Sequence, residues 1–213
     1  MKMDKKQIAV TGALTLVPMI IGLILWNKLP SEIPSHFNFA GEADGYSSRT
    51  FIVFGFPLIM LAVHVLCAFF TTQDPNSANI SKKMFSIVLW TCPAVSLIIA
   101  VVMYSPALGY SINPTFLSMI FVSLLFIVLG NLLPKCRHNY TIGIKLPWTI
   151  ADEDNWNRTH RMAGPLWIAG GVLTLVNSFV RFHTETVFLA IMIIVTIVPT
   201  VYSYLLFRRK SRA

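Results

Sequence analysis

Residues 51–70 read FIVFGFPLIMLAVHVLCAFF, an unbroken stretch without Asp, Glu, Lys or Arg. A helix needs about 20 mostly apolar residues to cross the hydrocarbon core of a bilayer, and this stretch is long enough. Five further windows share its character: Gln7 to Trp26, Met84 to Tyr104, Thr115 to Leu133, Met162 to Val180 and Val187 to Phe207. They occupy most of the 213 residues and leave no room for a separate soluble domain. Only 12% of the chain is charged, where soluble domains carry roughly 25%. The long apolar runs exclude disorder, and 3 cysteines with 11 aperiodic glycines exclude a disulfide-stapled or collagen-like chain. The predicted fold class is all-α: a polytopic membrane protein, a bundle of six transmembrane helices.

Cytoplasmic loops carry an excess of Lys and Arg, so the positions of the cations orient the bundle. With the N-terminus inside, the inner segments hold Lys2, Lys5 and Lys6; Lys82 and Lys83; Lys135, Arg137, Lys145, Arg158 and Arg161; and Arg208, Arg209, Lys210 and Arg212. Only Lys28, Arg49 and Arg181 remain outside. Both termini are thus expected to be cytoplasmic. The net charge of +8 is a topology signal, and no direct nucleic-acid binding is expected. The first window is long for a signal core and lacks a small-residue cleavage pattern, so it reads as a retained anchor. Two units are expected, 1–80 with two spans and an extracytoplasmic loop at 27–50, and 81–213 with four spans and a cytoplasmic loop at 134–164.

Within the spans, Pro18, Pro93 and Pro199 should kink their helices or sit where neighbours supply hydrogen bonds. Small residues around Ala169, Gly170, Gly171 and Thr174 should let helices approach closely. His64 is an intramembrane polar residue, with no Asp or Glu in any span to pair with it. A proton relay and a neutral histidine bonded to a neighbouring helix are the two readings.

The outer loop, Leu29 to Arg49, is too particular to be a spacer. Pro30 and Pro34 fix backbone angles, Gly41 permits a turn, and the interspersed aromatic residues suit a membrane surface. An ordered cap is expected, with Pro30, Glu32, Pro34, His36, Asn38, Gly41 and Asp44 as its binding residues. Glu32, His36, Glu42 and Asp44 are also possible metal donors, although their spacing matches no strong signature. No metal or cofactor is assigned.

The inner loop, Pro134 to Gly164, reads in two halves. Asn139 to Trp148 is extended and turn-rich. Thr149, followed by Asp152 and Glu153, marks a capped acidic helix start that leads into the fifth span. Trp156, Thr159 and His160 are spaced to share one face of that helix. Trp148 and Trp156 suit the membrane interface, with ring in the apolar layer and N–H in the wet one. Cys136 and His138 lack a second pair at zinc spacing. Acid, base and anion-binding groups are present, but no nucleophile, oxyanion hole or phosphate loop, so no enzymatic activity is expected.

The two loops together resemble the SdpI family of bacterial immunity proteins against a secreted, sporulation-delaying toxin. The resemblance rests on Leu29-Pro30 to Arg49, and on Gly130-Asn131, Asn139-Tyr140, Ile142-Gly143-Ile144-Lys145, Pro147-Trp148-Thr149, Trp156 and His160-Arg161. It implies a multi-pass protein of the bacterial plasma membrane, surrounded by membrane lipid, that protects the cell from a secreted toxic peptide. It also implies signal transduction, by recruitment of a cytoplasmic autorepressor protein to the membrane. Carried over by position, the inner signature is Asn139, Tyr140, Gly143, Lys145, Pro147, Trp148, Trp156, His160 and Arg161. The family commonly has Arg-Thr where this chain has Lys145-Leu146, and lysine lacks the planar two-pronged donor. A small-molecule transporter or channel, and a metal-dependent membrane enzyme, are the alternative readings.

Overall fold

In a computed structural model, residues 5–211 are described. Lys2 and Arg212, counted among the inner cations, lie outside the described residues. Six helical stretches, Lys5–Ile24, Phe51–Gln73, Lys82–Ala107, Pro114–Lys135, Glu153–Val180 and Thr184–Lys210, are long and apolar enough to cross a membrane. Between 22% and 33% of the apolar window of each is buried within the protein. The exposed positions include Ile24, Phe70, Leu173 and Phe179. A soluble protein would hide such side chains, whereas lipid accepts them, and helices satisfy every backbone N–H without water.

The chain forms two compact units, residues 5–72 with 85–118 and residues 73–84 with 119–211. In the first unit, α1 (Lys5–Thr15) and α2 (Val17–Ile24) make one interrupted span. The break at Leu16 precedes Pro18, which has no N–H to continue the ladder. The Pro18 carbonyl accepts a hydrogen bond from the Tyr104 hydroxyl at 3.1 Å, which ties the interrupted span to α4.

Strands β1 (Glu32–Phe37) and β2 (Ala43–Ser48) follow as an antiparallel hairpin. The ordered cap expected of this loop is a two-stranded hairpin, a small sheet set on an otherwise helical fold. Its register pairs Glu32 with Ser48 and Pro34 with Tyr46, and is irregular on either side of His36. A turn closed by Asn38 N–H to Glu42 O, with Gly41 at φ +88°, joins the strands.

A π-helical turn, Phe51–Gly55, leads into α3 (Phe56–Gln73), and α4 (Lys82–Ala107) follows. Ile33 from the hairpin joins Leu29, Ile52, Val53, Ala100 and Tyr104 in one buried cluster, which seats the hairpin on the helices.

In the second unit, α5 (Pro114–Leu132) enters from residue 119 and ends in a 3₁₀ turn at Leu133–Lys135. Then come the short α6 (Pro147–Ile150), α7 (Glu153–Val180) and α8 (Thr184–Lys210). α4 and α8 run through Pro93 and Pro199 without interruption. Phe126, Ile191 and Val195 form a buried cluster. α5 and α7 meet backbone to backbone. A Cβ on Gly130 would lie 2.8 Å from the Gly164 carbonyl, and one on Gly171 would lie 2.7 Å from the Ser123 carbonyl. The small residues of the fifth span therefore pack as their size suggests.

Candidate functional site

The 134–164 connection folds into a knot against the first turns of α7. Its centre is Asn139, 1% exposed. The amide nitrogen donates to the carbonyls of Arg137 at 2.8 Å and Ile142 at 3.0 Å, while Oδ1 accepts from the N–H groups of Thr141 and Ile142. An Asx side chain thus closes the turn that no helix or sheet supplies.

Asp152, not Thr149, caps α7: its carboxylate accepts from the Asp154 N–H at 3.1 Å. Thr149 belongs to α6, where its hydroxyl accepts from the Leu146 N–H and donates to the Ile144 carbonyl. The first N–H groups of a helix have no intrahelical acceptor, and an Asp at the N-cap position supplies one from its side chain. The Lys210 ammonium, 2.9 Å away, holds the Asp152 carboxyl below the usual carboxylate range.

From α7, Trp156, Thr159 and His160 do share a face, and all three are buried. Trp156 is fully buried, so it is not an interface anchor; its indole N–H donates to the Cys136 carbonyl at 2.8 Å. The His160 ring stacks on it with centroids 4.1 Å apart. His160 Nδ1 donates to the Trp156 carbonyl at 2.8 Å, and Nε2 accepts the Ile144 N–H at 2.8 Å. Because Nε2 accepts a backbone N–H, His160 is the neutral tautomer with its proton on Nδ1. Gly143, at φ +126°, passes over these rings so closely that a Cβ would lie 2.4 Å from His160 Nε2.

Asp74, Asn76 and Asn79, which the sequence did not single out, complete the knot together with His138 and Cys136. Asp74 is 5% exposed, and its carboxylate accepts from the N–H groups of Asn76 and Tyr140 and from the Thr141 hydroxyl. His138 Nε2 donates to the Ile150 carbonyl at 2.8 Å, its ring meets Trp156 edge to face, and its own carbonyl accepts from Asn79. Asp74, Asn76 and Asn79 lie more than fifty residues upstream, and nothing local in the sequence links them to this loop. Cys136 is buried, and burial pushes its thiol up to about 11.

Of the inner signature, the structure thus gathers Asn139, Gly143, Trp156 and His160. Tyr140, Lys145, Pro147 and Arg161 are exposed around them. Trp148 is half-buried against α8, edge to face with Tyr204, and its N–H donates to the Ser203 hydroxyl at 2.8 Å.

The outer residues do not converge. Pro30 and Glu32 are exposed at the start of β1, His36 contacts Asp44 across the strands, and Asn38 binds Glu42. The Asn38 carbonyl accepts from the Thr115 hydroxyl at 3.0 Å. Among the described residues no three His, Cys, Asp or Glu side chains come together as a metal-binding group. Arg49 anchors the base of the hairpin: its guanidinium donates to the carbonyls of Trp26 and Leu29 and lies 4.3 Å over the Trp26 ring.

His64 is fully buried. Its Nε2 is 3.2 Å from the Thr11 hydroxyl and from the Ile8 carbonyl, while Nδ1 has no hydrogen-bond partner among the described residues.

The inner knot spends its polar groups on its own backbone. Its buried donors and acceptors hold a shape, and Tyr140, Lys145, Pro147 and Arg161 form its exposed rim.

Comparison with known proteins agrees with the two loops. Residues 135–203 match the model of the SdpI/YfhL protein family, and residues 13–61 match a domain of unknown function, DUF1648. The chain is 23% identical over 191 residues to the immunity protein SdpI of Bacillus subtilis (strain 168), covering 87% of this chain and 88% of that protein. No solved structure matches. Residues 135–203, which take in most of the 134–164 connection, α7 and most of α8, are therefore similar to the SdpI/YfhL family, in a chain with six helical stretches able to span a membrane that is similar along most of its length to an SdpI immunity protein.

Proposed function

We propose that this protein protects a bacterium from a secreted toxic peptide and reports the encounter to the cytoplasm. The observation that carries the reading is the similarity to immunity protein SdpI, which extends over 87% of the chain and includes both the hairpin and the knot. The protein sits in the plasma membrane with both termini inside and acts by binding rather than turnover. Three spans separate the hairpin from the knot, so the two loops face opposite sides of the membrane.

The toxin meets the hairpin and adjoining helix ends, through Pro30, Glu32, Pro34, His36, Asn38, Gly41 and Asp44. A ligand shifts a conformational equilibrium only by its different affinity for the two states. Toxin binding therefore favours one of two packings, and the rim of the knot becomes the docking site for a cytoplasmic repressor. Tyr140, Lys145, Pro147 and Arg161 make that contact, while Asn139, Gly143, Trp156 and His160 keep the rim in shape.

Expression in a toxin-sensitive strain tests the reading. Survival should rise with the amount of protein in the membrane. Unchanged survival at full membrane expression removes the immunity role for that toxin.

A further inference from the structure

Where α7 begins and α8 ends, an open cleft of about 300 Å³ is lined by Asp152, Asp154, Arg158, Leu206, Arg209 and Lys210. Two of its three cations are already matched. Lys210 pairs with Asp152 at 2.9 Å, and Arg158 with Asp154 at 3.5 Å. Among the described residues Arg209 makes no ion pair, which leaves the cleft with one unbalanced guanidinium. Asn155, also in the lining, is committed elsewhere: it donates to the Ser203 carbonyl and accepts from Thr159.

We propose that this cleft binds the phosphodiester of an anionic lipid headgroup, with Arg209 as its principal cation. A guanidinium presents a planar fork that matches two phosphate oxygens, and it is weakly hydrated enough to exchange water for them. The depth is right for a lipid. The apolar face of α8 runs to Phe207, and Arg208, Arg209 and Lys210 follow immediately, where a spanning helix leaves the hydrocarbon and enters the headgroup layer. Leu206 is the apolar residue of the lining, one turn from the hydrocarbon-facing part of α8, so a headgroup can enter while its acyl chains stay beside the helix. Basic pockets at the ends of membrane helices recognise anionic headgroups in this manner. A bilayer also holds its phosphates at this depth continuously, which favours a lipid over phosphate free in water.

The test uses the full chain, purified in detergent and incubated with equal amounts of phosphatidylglycerol and phosphatidylcholine, with bound lipid counted by native mass spectrometry. Wild type should retain phosphatidylglycerol preferentially. Arg209→Gln should weaken that preference about five-fold, the usual effect of removing one basic residue near an anionic headgroup. Arg208→Gln removes the same charge outside the cleft and should leave the preference in place. Leu206→Trp fills the cleft without altering charge and should abolish it. The proposal is overturned if wild type shows no preference or if Leu206→Trp has no effect. Equal losses in Arg208→Gln and Arg209→Gln overturn it too, in favour of diffuse attraction by the cationic helix end. Millimolar inorganic phosphate should not displace the lipid; displacement would make free phosphate the ligand.

Discussion

Gly143 lies against His160 so tightly that a single added carbon at position 143 would stand 2.4 Å from the imidazole Nε2. The same carbon would meet the Trp156 ring at 2.9 Å, and the backbone there has φ +126°. Strain and overpacking coincide at one residue. Gly143→Ala should therefore destabilise the protein by roughly 2–3 kcal/mol. A lowered thermal midpoint in detergent, followed by Trp fluorescence, is the expected result, and an unchanged midpoint would mean that the loop does not pack on α7 as described.

Asp74→Ala should free the 138–142 segment. It strips an acceptor from the Tyr140 and Asn76 N–H groups and from the Thr141 hydroxyl. Leaving buried donors unmet costs about 1–3 kcal/mol each when water cannot replace the partner. Amide hydrogen exchange read by mass spectrometry should accelerate in 138–142 while the middle of α7 stays protected.

Cys136 should be nearly inert to a soluble maleimide at neutral pH, since the thiol is buried and held near 11. A cysteine placed at exposed Lys145 gives the fast reference. The raised value has a stability counterpart. The folded state holds its proton more tightly than the unfolded chain, so this group's contribution is intact below about 9 and is lost as pH rises from about 9 to about 11. Cys136→Ser should flatten that part of an unfolding-versus-pH profile.

Arg49→Lys should loosen the hairpin although the charge is kept. An ammonium cannot reproduce two donors to the Trp26 and Leu29 carbonyls together with stacking over the Trp26 ring. A loss of about 1–3 kcal/mol should appear as faster proteolysis within 30–48, with the helices remaining resistant.

The proposed topology can be read from Tyr46→Cys and Tyr140→Cys, made separately in a chain whose three native cysteines are replaced. Both parent side chains are exposed. In intact cells an impermeant thiol reagent should label position 46 and miss position 140, and permeabilisation should make both reactive. Labelling of both from outside would separate the hairpin and the knot from any shared route of signalling.

The spans were legible because lipid imposes a length and a polarity that no local preference overrides. The shared face of Trp156, Thr159 and His160 was legible for a related reason, helical spacing. The hairpin was not: β1 contains Pro34 and mixes charged, polar and aromatic residues, so it lacks the alternation that marks a strand. Trp156 looked like an interface residue because composition does not reveal that the Cys136 carbonyl satisfies its N–H. Asp74 was invisible for a third reason. A buried acid held by three donors reads, in sequence, as an ordinary loop aspartate.

Along their contact, α5 and α7 run in opposite directions with Gly130 facing Gly164 and Ser123 facing Gly171, where the absent side chains of the glycines bring main chain close to main chain. So close a seam resists sliding and rotation, because displacement brings peptide groups and the flanking Ile127 and Ile168 side chains into collision. The two helices must travel as a single strut. Any message carried by this part of the molecule has to be written as a tilt of that strut or as movement of whatever leans on it.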